Sequence, residues 1–318
     1  MLKFDLIVIG AGSGLSLAVD AAQKGAKVAI IEKGPMGGTC LNRGCIPSKI
    51  VIHSAEVAEM IGRAKEFGLS ASLRGVDFKF VTNRANKTVD KDARMIEKGI
   101  SSGKNPKLFK GEAKFIGKKV VGVNGKKLTA KRFVIAAGAR PFIPPIPGLD
   151  KVNFMTSTEA LRQTKLPKSL IVIGGGYIGC ELGNFYSSLG CKVTILQRGP
   201  LLLPREDQDV AKTITKLWKK KENVTLIVNA NASKVEKKNA KIVVWYGKKK
   251  VSAEKLLVAT GVRPNSDLLQ VDKTCVKVNK RGFIKVNKFM ETSVQGIWAL
   301  GDIAGVYMFK HSANLEAE

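Results

Sequence analysis

Two cysteines, Cys40 and Cys45, stand five positions apart in the run Gly37-Gly-Thr-Cys-Leu-Asn-Arg-Gly-Cys-Ile-Pro-Ser-Lys49. That spacing can close a small disulfide ring without a long loop to order. A helix is expected just after it, and Arg43 and Lys49 are close in sequence. A helix N-terminus with nearby cations is the setting in which a thiol becomes reactive. In a cytoplasmic chain such a pair is catalytic more often than structural. Zinc is poorly supported, because no second pair of comparable spacing supplies the remaining ligands, and no metal is expected. On spacing alone, buried and inert thiols remain open as the alternative.

Two glycine clusters offer a second kind of chemistry. Gly174, Gly176 and Gly179 complete a G-x-G-x-x-G that follows the apolar run Leu170–Ile173 and opens helical sequence, the context that gives the motif its meaning. Such a turn presents backbone N–H groups and the positive end of a helix dipole to a diphosphate. The earlier cluster has Gly10 and Gly12, but Leu15 where the third glycine falls and Gly14 one place early. That departure bears on how closely helix and strand pack, not on phosphate approach. Glu32 ends the second strand of the first copy and suits two ribose hydroxyls, as in FAD or NAD. Gln197, followed by Arg198 and later Arg205, holds that place in the second copy. A carboxylate repels a 2′-phosphate and Arg pairs with one, so the second site is expected to favour NADP over NAD.

These groups need a scaffold, and the chain repeats one. Leu6–Ile9, a glycine turn, an Ala-rich helical stretch and Val28–Ile31 are matched by Leu170–Ile173, a second turn, a helical stretch and Val193–Leu196. Gly10 and Glu32 lie 22 positions apart in one copy, and Gly174 and Gln197 lie 23 apart in the other. This is βαβ grammar. The predicted fold class is α/β, with two Rossmann-like dinucleotide-binding domains, three-layer parallel sheets, and meander and hairpin insertions. Residues 107–135 are expected as a β-meander, and 241–246 with a return at Val251 as a hairpin. Pro141, Pro144, Pro145 and Pro147 make a stiff crossover. The expected division is residues 1–146 with the cysteine pair, 147–268 as the second domain, and 269–318 returning to the first.

Composition narrows the class. Hydrophobic residues at 44% and charged residues at 25% fit a globular chain rather than a disordered one. Apolar runs are too short for a membrane helix, and no signal sequence precedes the first strand, so a cytoplasmic protein is expected. The net charge of +28, from 54 Lys+Arg against 26 Asp+Glu, suggests a nucleic-acid binder. Against that, the lysine runs are scattered and aromatics are only 6%, so solvated faces and blunted strand edges are the preferred account.

The cysteine run resembles the redox-disulfide signature of the pyridine nucleotide-disulfide oxidoreductases, in the form found in dihydrolipoyl dehydrogenase. The likeness extends to the first glycine turn, Ala136-Ala-Gly-Ala-Arg-Pro141, the Gly174–Glu181 turn, Ala259-Thr-Gly-Val-Arg-Pro-Asn265 and Leu300-Gly-Asp302. It implies FAD and NAD(P) as cofactors and a Cys40–Cys45 disulfide. In that scheme Cys45 stands against the flavin, and Cys40 exchanges with a small-molecule or lipoyl-type disulfide. Lys49 lies near the flavin and pairs with Glu181. The resemblance further assigns FAD contacts to Gly10, Gly12, Gly14, Glu32, Lys33, Gly38, Thr39, Ala113, Ala137, Gly138, Gly301 and Asp302. It assigns nicotinamide-nucleotide contacts to Gly174, Gly176, Tyr177, Ile178, Gly179, Gln197, Arg198 and Gly261. Ala137 stands where the family usually has Thr, which removes a hydroxyl contact.

A low-molecular-weight thioredoxin reductase is excluded, because its C-x-x-C lies in the NADP domain. Family members continue into an interface domain that makes them homodimers and carries a His-Pro-x-x-x-Glu segment. Neither His53 nor His311 stands in one. The expectation is a shortened chain that binds cofactors and turns over disulfides slowly, since loss of an acid/base group costs about 10²–10⁴-fold. A mercuric reductase-like NADPH-dependent reductase and a catalytically incomplete, basic flavoprotein with a binding role are the rival readings.

Overall fold

A computed structural model of the protein describes residues 1–318. In chain order the elements begin with β1 (Leu2–Ile9), α1 (Gly14–Gln23), β2 (Val28–Glu32), α2 (Gly38–Arg43), α3 (Cys45–Gly62) and α4 (Phe78–Ser102). There follow β3 (Lys107–Lys110), β4 (Lys114–Gly117), β5 (Val120–Val123), β6 (Lys126–Ile135), β7 (Ala139–Pro141), α5 (Ser157–Leu161), β8 (Ser169–Ile173) and α6 (Tyr177–Ser188). Next come β9 (Lys192–Leu196), α7 (Gln208–Trp218), β10 (Val224–Ile227), β11 (Ala232–Lys238), β12 (Lys241–Tyr246) and β13 (Lys249–Ala253). The last are β14 (Lys255–Val258), β15 (Val262–Pro264), β16 (Ile297–Ala299) and α8 (Lys310–Leu315). Two compact units result. Unit 1 holds Met1–Asn42, Thr88–Arg140 and Val262–Glu318, and unit 2 holds Arg43–Lys87 and Pro141–Gly261.

Unit 1 is a seven-stranded sheet of order β3-β2-β1-β6-β5-β4, with β16 also on β6. Leu6–Ile9 are buried in succession because a parallel strand is covered on both faces. β1 runs parallel to β2, with Ile9 opposite Ile31, and to β6, with Ile9 opposite Ile135. The expected meander is real only from β4 to β6, which pair antiparallel. Lys107–Lys110 instead joins β2 in parallel. That correction has a physical reason: a four-residue strand flanked by lysines reads alike as a hairpin arm or a sheet edge, and its partner is chosen by distant residues.

Unit 2 has a four-stranded parallel sheet of order β10-β9-β8-β14 and a separate antiparallel sheet β11-β12-β13. The 241–246 hairpin therefore gains a third strand, β11. On one side of the parallel sheet, α3 buries Val51 and Ala55 in a core shared with Leu182, Phe185 and Tyr186 of α6. Phe78 stacks on Phe185 with ring centroids 5.5 Å apart, and Phe185 meets Tyr186 edge-on at 5.0 Å. Both units place their first strand centrally, with later strands reversing direction of travel from it, as doubly wound sheets do beside ligand crevices. No helix is long and apolar enough to cross a membrane.

Candidate active site and dinucleotide turns

In unit 1, β1 and β6 end side by side, with Ile9 opposite Ile135. Gly10 has φ +105°, and a Cβ there would sit 2.3 Å from the Ala136 carbonyl oxygen. Only glycine satisfies both conditions. Gly14, the first residue of α1, takes over close packing: its Cβ would stand 2.8 Å from Val8 Cγ1 and 2.9 Å from Ala136 Cβ. Leu15 in the third-glycine place therefore does not lift the helix off the strand. Glu32 accepts from the Ala11 N–H at 2.8 Å through one carboxylate oxygen and from the Gly34 N–H at 2.7 Å through the other.

The segment leading to the cysteines lies directly on this turn. Gly37 N–H donates to the Ala11 carbonyl at 2.9 Å, and a Cβ on Gly38 would come within 2.7 Å of Gly12 Cα. Asn42 ties the segment together, donating from Nδ2 to the carbonyls of Met36 at 2.8 Å and Gly38 at 2.9 Å. Asn42 lies within the cysteine motif, but nothing in its spacing announces this role. Thr39 is exposed and Cys40 half-buried. Lys33 pairs with Glu112 at 3.4 Å rather than with the turn. The side chains excluded here leave main chain along the turn, and with Glu32 this fits the diphosphate and ribose of FAD.

The remaining unit 1 residues sit on two further loops. Ala113 is buried. Asn265 donates from Nδ2 to the Ala137 carbonyl at 2.7 Å and from its backbone N–H to the Gly138 carbonyl at 3.1 Å. Gly138 itself has φ +63°. Arg140 grips Asp267 with both guanidinium nitrogens, at 2.8 and 2.7 Å, and holds that carboxyl below the usual carboxylate range. Gly301 donates its N–H to Glu316 Oε2 at 2.6 Å. Burial, and after it the Glu316 carboxylate, push the neighbouring Asp302 carboxyl up.

In unit 2, Cys45 is the exposed first residue of α3. One turn on, Lys49 Nζ meets Glu181 Oε1 of α6 at 2.6 Å, and Ser48 Oγ donates to the other Glu181 oxygen at 3.1 Å. The structure thus brings Lys49 and Glu181 together and adds Ser48, which sequence reading did not single out. Cys40 falls in unit 1 and Cys45 in unit 2.

The second turn repeats the first with changed chemistry. Gly174 has φ +110°, and its Cβ would lie 2.3 Å from the Ala259 carbonyl oxygen. Gly176 precedes α6, and a Cβ on Gly179 would approach the Gly174 carbonyl oxygen to 2.0 Å. Gln197, 8% exposed, accepts from the Gly175 N–H at 2.9 Å and donates from Nε2 to the Leu201 carbonyl at 3.0 Å. Arg198 and Arg205 are exposed. Tyr177 and Ile178 are exposed at the head of α6. The Tyr177 hydroxyl donates to Glu206, and that bond, with burial, raises its pKa. Gly261, at φ +112°, accepts from the Phe142 N–H through its carbonyl. Burial pushes the thiols of Cys180 and Cys191 up to about 12.

This pairing of two dinucleotide turns with a cysteine run defines a class of nucleotide-dependent redox protein. The family of pyridine nucleotide-disulphide oxidoreductases matches residues 4–317, and the chain belongs to it. It is 38% identical over 306 residues to a mercuric reductase of Lysinibacillus sphaericus, covering 95% of this chain and 56% of that protein. It is 37% identical to a dihydrolipoyl dehydrogenase of Thermus scotoductus, covering 99% of this chain and 69% of that one. Among solved structures, the Cu(II) complex of the HOCl-induced flavoprotein disulfide reductase RclA from Escherichia coli superposes with a TM-score of 0.90 at 30% identity, over 100% of this chain and 70% of that one. The chain spans about half the length of the mercuric reductases it matches.

Proposed function

We propose that the chain is an FAD-dependent disulfide oxidoreductase passing two electrons between NAD(P)H and a Cys40–Cys45 disulfide, of the dihydrolipoyl dehydrogenase type. The observation that carries this reading is the Ser48/Lys49–Glu181 cluster, which joins the helix begun by Cys45 to the helix that opens the second dinucleotide turn. Bound FAD supplies two-electron exchange between a nicotinamide and a disulfide. The chain's own residues do the rest. Glu181 and Ser48 fix the Lys49 ammonium one helical turn from Cys45, where negative charge gathers when the disulfide opens. Two electrons break the S–S bond, leaving sulfur anion at Cys45 and, after one proton is taken up, a thiol at Cys40. On giving up that proton Cys40 attacks an external small-molecule or lipoyl-type disulfide, breaking its S–S bond to form a mixed disulfide and release one thiol. The Cys45 sulfur then displaces the second thiol and restores the Cys40–Cys45 bond.

NADP is favoured over NAD at the second turn, because Gln197 brings no carboxylate and Arg198 is exposed beside it. That preference favours the reductive direction and so also supports an NADPH-dependent reductase like the mercuric reductase relatives. A cytoplasmic setting and a homodimer of the whole protein complete the proposal.

The test is an anaerobic titration of the purified protein with NADPH and NADH in parallel, read by its visible spectrum. The reading expects flavin absorbance, and on reduction a long-wavelength band that is absent in Cys45→Ser. A colourless protein, or bleaching without that band, overturns it. Dihydrolipoamide and Hg(II) as alternative second substrates separate the two enzyme types.

A further inference from the structure

Lys310 is one of few lysines in this chain that are not fully exposed. Its ammonium donates to Ser13 Oγ at 3.0 Å, inside the first glycine turn, and to Asn314 Oδ1 at 2.7 Å. We propose that Lys310 is a cationic clasp that binds the diphosphate of the dinucleotide held by the Gly10–Gly14 turn. The inference rests on the FAD reading above and adds to it a ligand residue that the glycine motif does not contain.

Three observations carry it. Ser13 is 7% exposed and stands at the N-cap of α1, yet its side chain makes no capping bond. Its oxygen accepts from Lys310, so its own proton is left to donate to a phosphate oxygen. Second, the lysine is aimed. Asn314 holds the ammonium from the next turn of α8, and Glu316 fastens the segment through the Gly301 N–H at 2.6 Å. Ala317 beyond it packs into the core around Met36 and Leu300.

Third, carboxyl groups stand on the same elements as the turn and the lysine, with Lys110 reaching only the Gly34 carbonyl beside Glu32. In a protein of net charge +28, this site carries Glu32 on the turn, and Asp302 and Glu316 on the segment that bears Lys310. A diphosphate added to these carboxylates calls for a cation, and backbone N–H groups alone bring partial charge only. A lysine ammonium on a phosphate forms a charge-assisted hydrogen bond, roughly twice as strong as a neutral one.

The test measures binding, not turnover. Apoprotein of the full chain is titrated with riboflavin, FMN and FAD, at two salt concentrations. Wild type is compared with Lys310→Gln, Lys310→Arg and the exposed control Lys285→Gln. Lys310→Gln is expected to weaken FAD by about ten-fold or more, leave riboflavin within about two-fold, and flatten the salt dependence of FAD binding. Lys310→Arg keeps most of the FAD affinity, and Lys285→Gln matches wild type. Equal weakening of riboflavin and FAD, or melting-temperature loss without any change in FAD affinity, makes Lys310 a structural tie of α8 and overturns the proposal alone. A wild-type chain that binds no flavin overturns the proposal and the FAD reading together.

Discussion

The two glycine turns share a backbone plan and differ in one side chain each. Ala11 and Gly175 are the second residues of their turns, and each donates its N–H to the residue ending the next strand, Glu32 at 2.8 Å and Gln197 at 2.9 Å. What the second polar atom of that residue touches then diverges. Glu32 takes another N–H, that of Gly34, whereas the Gln197 amide gives a proton to the carbonyl of Leu201. A carboxylate accepts twice; a carboxamide accepts and donates. The acid therefore gathers N–H groups and keeps a negative charge at the first site. The amide fixes the loop at the Leu201 carbonyl and leaves the second site without that charge, next to Arg198.

The sharpest way to break the parallel is at the glycine that opens each helix. Gly179 faces a backbone carbonyl at 2.0 Å, which cannot yield without moving the turn, whereas Gly14 faces side-chain methyls of Val8 and Ala136. Gly179→Ala is expected to destabilise unit 2 by about 3 kcal/mol or more and to abolish nicotinamide nucleotide binding while flavin is retained. Gly14→Ala costs about 1–3 kcal/mol as overpacking and weakens flavin retention. Thermal unfolding and the visible spectrum read both. An equal loss at the two positions removes the distinction between backbone and side-chain contact.

Exchanging the acid and the amide sharpens it at the next level. Gln197→Glu sets a carboxylate oxygen against the Leu201 carbonyl and is expected to cost about 1–3 kcal/mol. It also shifts nucleotide preference toward NADH. Glu32→Gln turns an NH2 toward a donor N–H and costs a similar amount, with weaker FAD binding. If Gln197→Glu melts like wild type, the loop to Leu201 is not held by that bond.

Much of this was legible because it is local. A strand, a glycine turn and a helix lie within twenty-odd residues, so the repeated unit and both turns stand out in the sequence, as does the Cys40–Cys45 run. The parts that were not legible depend on distant partners. Nothing near Lys107 says that β3 completes a parallel sheet beside β2. That Gly14 serves as the packing glycine depends on where α1 starts and on Ala136, which is far off in the chain. The sequence showed that position 197 lacks a carboxylate, but not that the amide is spent on Leu201. Residues 43–87 join unit 2 through Val51, Ala55 and Phe78 packing on α6, and no composition change marks that passage.

Two carboxyl groups of unit 1 give it a pH response of its own. Asp302 is pushed above its ordinary value of 3.8 by burial and by Glu316. A carboxyl with a higher pKa folded than unfolded holds its proton more tightly in the folded state. Its contribution is therefore fully present below the ordinary value and is lost as pH rises through the raised one. Asp267, held down by Arg140, runs the other way, its contribution present above 3.8 and lost as pH falls through the depressed value. The difference in melting temperature between wild type and Asp302→Asn, followed upward from acid pH, should grow in favour of the variant. Asp267→Asn should show its largest penalty near neutrality.

The smallest effect on stability is expected at the Lys49–Glu181 pair, and this makes it the most informative about function. The side chains are 62% and 37% exposed, so solvent screens the pair to within about 1 kcal/mol. Glu181→Gln keeps the shape and a hydrogen bond to Ser48 while removing the charge that fixes Lys49. Melting should change little. The long-wavelength band on reduction should weaken, and the rate at which NADPH delivers electrons to the cysteines should fall by about ten-fold or more, the scale of a misplaced charged hydrogen bond. Lys49→Arg should recover part of what Lys49→Met loses. A Glu181→Gln variant that reduces as fast as wild type would make this pair an ordinary surface bridge and move the functional weight of α3 back to Cys45 and its neighbours in sequence.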